Sequence, residues 1–199
     1  MFLVTRHPSL VTFYMRIIAG TYKGHRLAPL KGGQTRPTQD RIREAIFNIL
    51  EPSGPFLQVA DLFAGSGAMG LEALSRWGGK AVFVESSRPA VDCLRKNICR
   101  LKMEGRSRLI QRDLARGVHF LTKIDGPFDL VFSDPPYGQG WCNLIISSLL
   151  SPPVLKVTGI LVLEHDLKEP IPEKVGDWGL GDQRRYGRTR VSFYSFMKR

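Results

Sequence analysis

Residues 59–70, VADLFAGSGAMG, restrict the folds open to this chain more than any other stretch. A short apolar run carrying one acid, Asp61, meets glycines at Gly65, Gly67 and Gly70, and the apolar-periodic segment LEALSRW follows at 71–77. The pattern predicts a strand, a tight turn and a helix. Glycine suits such a turn because it reaches positive φ and lets a ligand approach the main chain, while the next helix presents free N–H groups. On its own a G-x-G-x-x-G spacing also fits a well-packed turn. Two later features strengthen the ligand reading. Glu85 lies about 20 residues after Gly65, where an acid that binds ribose hydroxyls is expected, and Asp134-Pro-Pro-Tyr137 closes another apolar run.

A chain of 199 residues with 43% hydrophobic content suits one compact α/β domain with a small appendage. The net charge of +11 exceeds what solubility needs and favours a polyanionic partner. Nucleic acid is preferred to a membrane, because no apolar run approaches spanning length. Cys93, Cys99 and Cys142 are odd in number and lack C-x-x-C spacing, as expected of reduced thiols in a cytoplasmic protein. His7, His25, His119 and His165 form no ligand pattern, so no metal site is expected.

Three segments are expected: an appendage at 1–14, an extension at 15–55 and the main domain at 56–199. Met15 is an alternative start, which makes the first fourteen residues dispensable in this reading. Residues 16–34 read as a hairpin carrying Arg16, Lys23, Arg26 and Lys31 without an acid, either as a solvated edge or as an arm that contacts phosphates. A helix follows, with Thr38 as N-cap, Asp40 in its first turn, and Ile42, Ile46, Ile49 and Leu50 on one face. Arg36, Arg41 and Arg43 near its start are either ordinary exposed charges or a patch facing RNA.

From residue 59 strands and helices alternate, which predicts a parallel sheet covered on both faces. The later strands are read at 81–84, 107–111, 128–133, 159–163 and 191–196, the last of them antiparallel, with helices at 89–102, 115–122 and 144–150. Ligands of such sheets bind outside the carboxyl ends of the strands. Glu85 ends one strand, as a ribose acceptor or an exposed loop carboxylate. Asp113 ends the next, as an acceptor for an adenine amine or an N-cap of the following turn.

The Asp134 carboxylate and the Pro135 carbonyl are two adjacent acceptors, matched to a planar –NH₂ group with its two donors. The paired prolines fix the backbone and add no competing N–H. Tyr137 offers a ring on which a base can stack, worth roughly 1–3 kcal/mol. An aromatic amine is a poor nucleophile, so gripping both N–H bonds and stabilising charge that develops on nitrogen are what methyl transfer to it needs.

DLFAGSGAMGLEAL, the acid at Glu85, DPPY, and the N-terminal RIIAG and TRPTQDRIREAIFNIL together resemble the bacterial methyltransferases of the RsmD type, which modify the exocyclic N2 of one guanine in 16S rRNA. The resemblance implies a Rossmann-like class I methyltransferase, with a seven-stranded, mostly parallel sheet, helices on both faces and an N-terminal hairpin-and-helix extension that works on RNA. It implies S-adenosyl-L-methionine as cofactor, with Asp61, Phe63, Gly65, Ser66 and Gly67 around its methionine part, Glu85 at its ribose and Asp113 at its adenine. Asp134, Pro135 and Tyr137 would grip the target base, and the basic residues of the extension would hold 16S rRNA within a small ribosomal subunit or its precursor. A monomer without membrane contact is expected. The residues alone leave an adenine-N6 methyltransferase open, and also a non-catalytic RNA-binding assembly factor. A nicotinamide-dependent dehydrogenase would share the glycines but leave DPPY without a task.

Overall fold

A computed structural model describes residues 15–30, 37–150 and 154–197, so the expectations for residues 1–14, for Lys31 and the rest of 31–34, and for Arg36 lie outside the described residues. Among the described residues the first helix is α1 (Pro37–Leu50), followed by strand β1 (Gln58–Leu62), helix α2 (Ala68–Trp77), β2 (Lys80–Glu85), α3 (Arg88–Arg100) and β3 (Ser107–Gln111). Next come β4 (Phe128–Ser133), α4 (Trp141–Leu150), β5 (Leu155–Asp166), β6 (Lys174–Val175), β7 (Trp178–Tyr186) and β8 (Thr189–Phe196). The helix expected at 115–122 is two short 3₁₀ turns, Leu114–Arg116 and His119–Lys123. Pro37 opens α1, ahead of the Thr38 cap expected, because a first-turn residue needs no N–H.

The strands form one sheet in the order β3-β2-β1-β4-β5-β8-β7-β6. The pairs from β3 through β5 are parallel, and β8, β7 and β6 add antiparallel pairs. Among the described residues the sheet thus has eight strands where seven were expected. The short strand β6 is two residues long, too brief for any periodic signal. β7 carries Gly179, Gly181, Asp182, Arg184 and Arg185, a polar sequence that becomes a strand through its pairing with β8.

Strand side chains alternate between two cores, as pleating requires. On one face Phe83, Leu130, Phe132 and Val162 pack with Ile46 and Phe47 of α1, Leu71 and Leu74 of α2, and Leu94 and Ile98 of α3. On the other, Leu62, Val84, Val131 and Leu161 pack with Ile145 and Leu149 of α4 and with Leu114 and Leu121 of the 3₁₀ turns.

The hairpin expected at 16–34 is rudimentary among the described residues: one antiparallel bridge joins Arg16 to Arg26 around a tight turn. Ile17 and Leu27 from this segment are both 1% exposed and belong to the core beneath α1 and α2. Its backbone is held by α2. The buried Glu72 carboxylate accepts from the N–H of Ile18 at 2.7 Å and of Ala19 at 2.9 Å, and Ser75 Oγ accepts from the Tyr22 N–H at 3.0 Å. A side chain at Gly20 would put its Cβ 1.9 Å from the Ser75 carbonyl oxygen, so glycine is needed where segment and helix touch.

Candidate active site

The order of the parallel strands reverses between β1 and β4, and α/β sheets bind ligands at such a switch point, beyond the carboxyl ends of the strands. In register, Leu62 of β1 faces Ser133 of β4, and Ser133 faces Leu163 of β5. The next residue of each strand is therefore Phe63, Asp134 and Glu164, side by side at the sheet's rim. A cavity of about 250 Å³ opens there. Its wall includes Asp61, Phe63, Gly65, Ser66, Ser133, Asp134 and Glu164, with Arg43 from α1.

The glycine loop takes its shape from three local constraints. Gly65 and Gly67 have φ of +55° and +80°, and Phe63, at φ 58°, shares that left-handed region, which costs a bulky residue steric strain. The Phe63 ring meets Trp141 edge-on at 5.2 Å. A Cβ on Gly70 would lie 2.4 Å from Phe83 Cε1, so the third glycine permits close packing of helix on strand. The Asp61 carboxylate accepts from the Gly70 N–H at 2.9 Å, at the start of α2. Burial lifts its pKa to about 7, against the opposing pull of that N–H, and Glu85 adds to the rise.

Glu85 is half-buried and accepts from the N–H of Gly65 and of Ser87, each at 2.8 Å, so it shapes the loop from the end of β2. Asp113 is exposed and accepts from the Ala115 N–H at 2.9 Å; of its two readings, the turn cap is the one seen among the described residues.

Asp134 opens onto the cleft and stays accessible from it, yet protein crowds its other sides. Desolvation holds its pKa well above the usual carboxylate value, and the nearby charges of Glu164 and Asp61 push the same way. Pro135 is buried behind it, while Tyr137 is 43% exposed. The Tyr137 hydroxyl donates to Glu164 Oε1 at 3.3 Å and lies 3.1 Å from Thr189 Oγ1. Desolvation raises this phenol to about 12.

Sequence reasoning assigns no role to Glu164, Asn97 or Glu72. Asn97, fully buried in α3, binds both backbone groups of Ala28 and donates to the Ser66 carbonyl at 2.9 Å, tying the N-terminal segment to the glycine loop. Its position three residues after Leu94 and four before Leu101 puts it on the apolar stripe, a signal the sequence does carry.

Arg43 requires a correction. Its sequence position groups it with Arg36 and Arg41 as an RNA-facing residue, but it is 3% exposed and points inward. Its guanidinium donates to the Arg16 carbonyl and to Asp40, and lies 3.9 Å from Glu72. It shares a helical face with Ile46, Phe47 and Leu50, all buried. Arg16, Lys23, Arg26 and Arg41 are all exposed, consistent with either reading of them.

Among the described residues three carboxyls and one arginine line the cavity of a protein whose net charge is +11, so a cation that enters meets groups able to ionise and balance it. Such a lining fits a ligand that carries positive charge, as S-adenosyl-L-methionine does on its ammonium and sulfonium. Fold and site define a class I methyltransferase whose cofactor is S-adenosyl-L-methionine. Solved Escherichia coli yhhF superposes with a TM-score of 0.80, at 33% identity over 94% of this chain and 100% of its own. The chain belongs to the family described as Conserved hypothetical protein 95, whose model matches residues 15–195. Bacillus subtilis YlbH is 34% identical, over 90% of this chain and 98% of its own. Ribosomal RNA small subunit methyltransferase D of Escherichia coli strain K12 is 33% identical, over 90% of this chain and 89% of its own. The resemblance drawn from the glycine loop, DPPY and the N-terminal helix is thus borne out.

Proposed function

We propose that the protein methylates small-subunit ribosomal RNA, at the exocyclic N2 of a guanine. The carrying observation is that one cavity is lined both by the glycine loop and by Asp134. Gly65, Ser66 and Gly67 would hold the methionine part of the donor beside Asp61, and Glu85 would take its ribose. Asp113 would meet the adenine by giving up its bond to the turn. The donor supplies an electrophilic methyl group on sulfur. Asp134 and the Pro135 carbonyl accept the two N–H bonds of the target amine and hold its nitrogen in line, and the carboxylate offsets charge that grows there. Tyr137 stacks on a base drawn out of the RNA.

Phosphates are held by Arg16, Lys23, Arg26, Arg36 and Arg41. To these we add Arg184, Arg185 and Arg188, on the β7–β8 hairpin. Thr189 at the base of that turn touches Tyr137, so this ribbon flanks the mouth of the site. The substrate is 16S rRNA in a small subunit or its precursor, met by a monomer in the cytoplasm. Among the described residues no helix is long and apolar enough to cross a membrane.

The test is Asp134→Ala, with nucleoside analysis of rRNA after incubation with the methyl donor. Loss of N2-methylguanine with donor binding intact is expected. Retained turnover overturns the assignment, and a product on adenine N6 replaces it with the rival chemistry.

A further inference from the structure

The cavity holds a second acceptor that the grip on an amine does not use. Glu164 stands abreast of Asp134 on the neighbouring strand, because the β4–β5 register pairs Ser133 with Leu163. It is half-buried in the cavity wall. The Tyr137 hydroxyl donates to one of its oxygens at 3.3 Å, and no other hydrogen bond from the described residues reaches that carboxyl. Ser133, 2% exposed and also in the wall, has a buried hydroxyl without a partner among the described residues. Buried polar groups are ordinarily satisfied, so this rim has the character of a surface that expects a polar guest.

The two candidate bases differ at the ring nitrogen beside the amine. Guanine carries a donor there, N1–H next to its N2 amine. Adenine carries an acceptor, the N1 lone pair next to its N6 amine. With the amine on Asp134 and the Pro135 carbonyl, a carboxylate one strand over can accept guanine N1–H. The same carboxylate would face adenine N1 lone pair to lone pair and be left without a partner in a partly desolvated site. A site built to bond one polar group rejects an analogue lacking it far more strongly than an apolar pocket rejects a missing methylene.

We propose that Glu164 is the residue that selects guanine, by accepting its N1–H while Asp134 holds the amine. This rests on the guanine-N2 reading above, and it assigns that reading's base specificity to one side chain. Tyr137 then has two tasks, stacking through its ring and orienting Glu164 through its hydroxyl.

The experiment uses the full chain and an RNA fragment containing the mapped target nucleotide, as guanine or as 2-aminopurine. The analogue keeps the N2 amine but has an acceptor at N1. Wild-type kcat/KM is expected to favour guanine by at least about 100-fold. In Glu164→Gln the amide can donate or accept, and the preference should shrink at least about tenfold, with the methyl still placed on N2. Glu164→Asp, with its acceptor on a shorter arm, should retain the preference for guanine. An unchanged ratio in Glu164→Gln, with N2-methylguanine still formed, overturns this inference alone. Wild-type product on adenine N6 overturns the guanine reading and this inference with it.

Discussion

Asn97 binds both backbone groups of Ala28, its Oδ1 accepting from the N–H at 2.7 Å and its Nδ2 donating to the carbonyl at 3.2 Å. The same Nδ2 donates to Ser66 in the glycine loop. Asn97→Ala takes from the Ala28 N–H and the Ser66 carbonyl their bonds to the side chain, while the Ala28 carbonyl keeps the Cys93 thiol at 3.2 Å, at a cost of about 1–3 kcal/mol. A lower urea midpoint is expected, together with weaker donor binding by calorimetry, because Ser66 lines the cavity. Unchanged donor affinity in a destabilised variant would confine Asn97 to holding the N-terminal segment.

Gly70→Ala separates packing from chemistry. The new methyl would press on Phe83 and lie 3.2 Å from the Asp61 Cβ, so the start of α2 must move away from β1. Overpacking of this kind costs about 1–3 kcal/mol. Thermal denaturation should show that destabilisation, and titration with the donor should show a larger fall in affinity than Gly65→Ala produces. At Gly65 the nearest neighbour of an added Cβ is Leu30 Cδ1 at an ordinary 3.5 Å, although the φ of +55° still strains the change.

These residues divide according to how far their partners lie along the chain. The glycine loop, Asp61 and Asp134 are legible because strand, turn and helix are contiguous, and local chemistry dictates each residue type. Glu72 is not, because its backbone partners lie 54 and 53 residues away. Glu164 meets Tyr137 only after 27 positions of chain, α4 among them, bring β5 back beside β4. Arg43 misleads for the same reason. Its charge suggests solvent, and the buried carboxylate near it belongs to another helix.

The contribution of Asp61 to the stability of the ligand-free protein should fall as pH rises from about 4 to about 7, while His165, whose pKa burial lowers, acts in the opposite sense. Asp61 keeps its proton up to about 7 in the folded state, against 3.8 for an unperturbed carboxyl. Between those values the native state binds more protons than the unfolded one, so raising pH favours unfolding, by at most about 1.4 kcal/mol per pH unit for one group. The raised values of Asp134 and Glu164 act in the same sense. Asp61→Asn keeps an acceptor for the Gly70 N–H and removes the titration. Denaturation midpoints across this pH range should therefore be flatter in the variant.

Arg41 and Arg43 are two positions apart and should fail differently. Arg41→Ala is expected to lower RNA affinity and its salt dependence while leaving stability within about 0.5 kcal/mol of wild type. Arg43→Ala removes one charge of a buried network and should destabilise by about 3 kcal/mol. Chemical denaturation alongside filter binding at several salt concentrations tests both.

Replacing Arg184, Arg185 and Arg188 together should reduce the slope of log affinity against log salt by roughly 0.7–0.9 for every phosphate that the variant no longer neutralises. The fold should persist, since all three side chains lie on the surface of the hairpin. An unchanged slope would place the RNA face away from the β7–β8 ribbon.

Phe63 combines a left-handed backbone with a ring packed on Trp141. Exchange for glycine would relax the backbone and strip the ring at once, two effects of opposite sign on melting temperature. A variant at this position can therefore look almost undisturbed in a melting curve and still have forfeited the wall of its pocket. Heat resistance is a poor proxy for an intact site here, and only a direct reading of ligand affinity will tell the two apart.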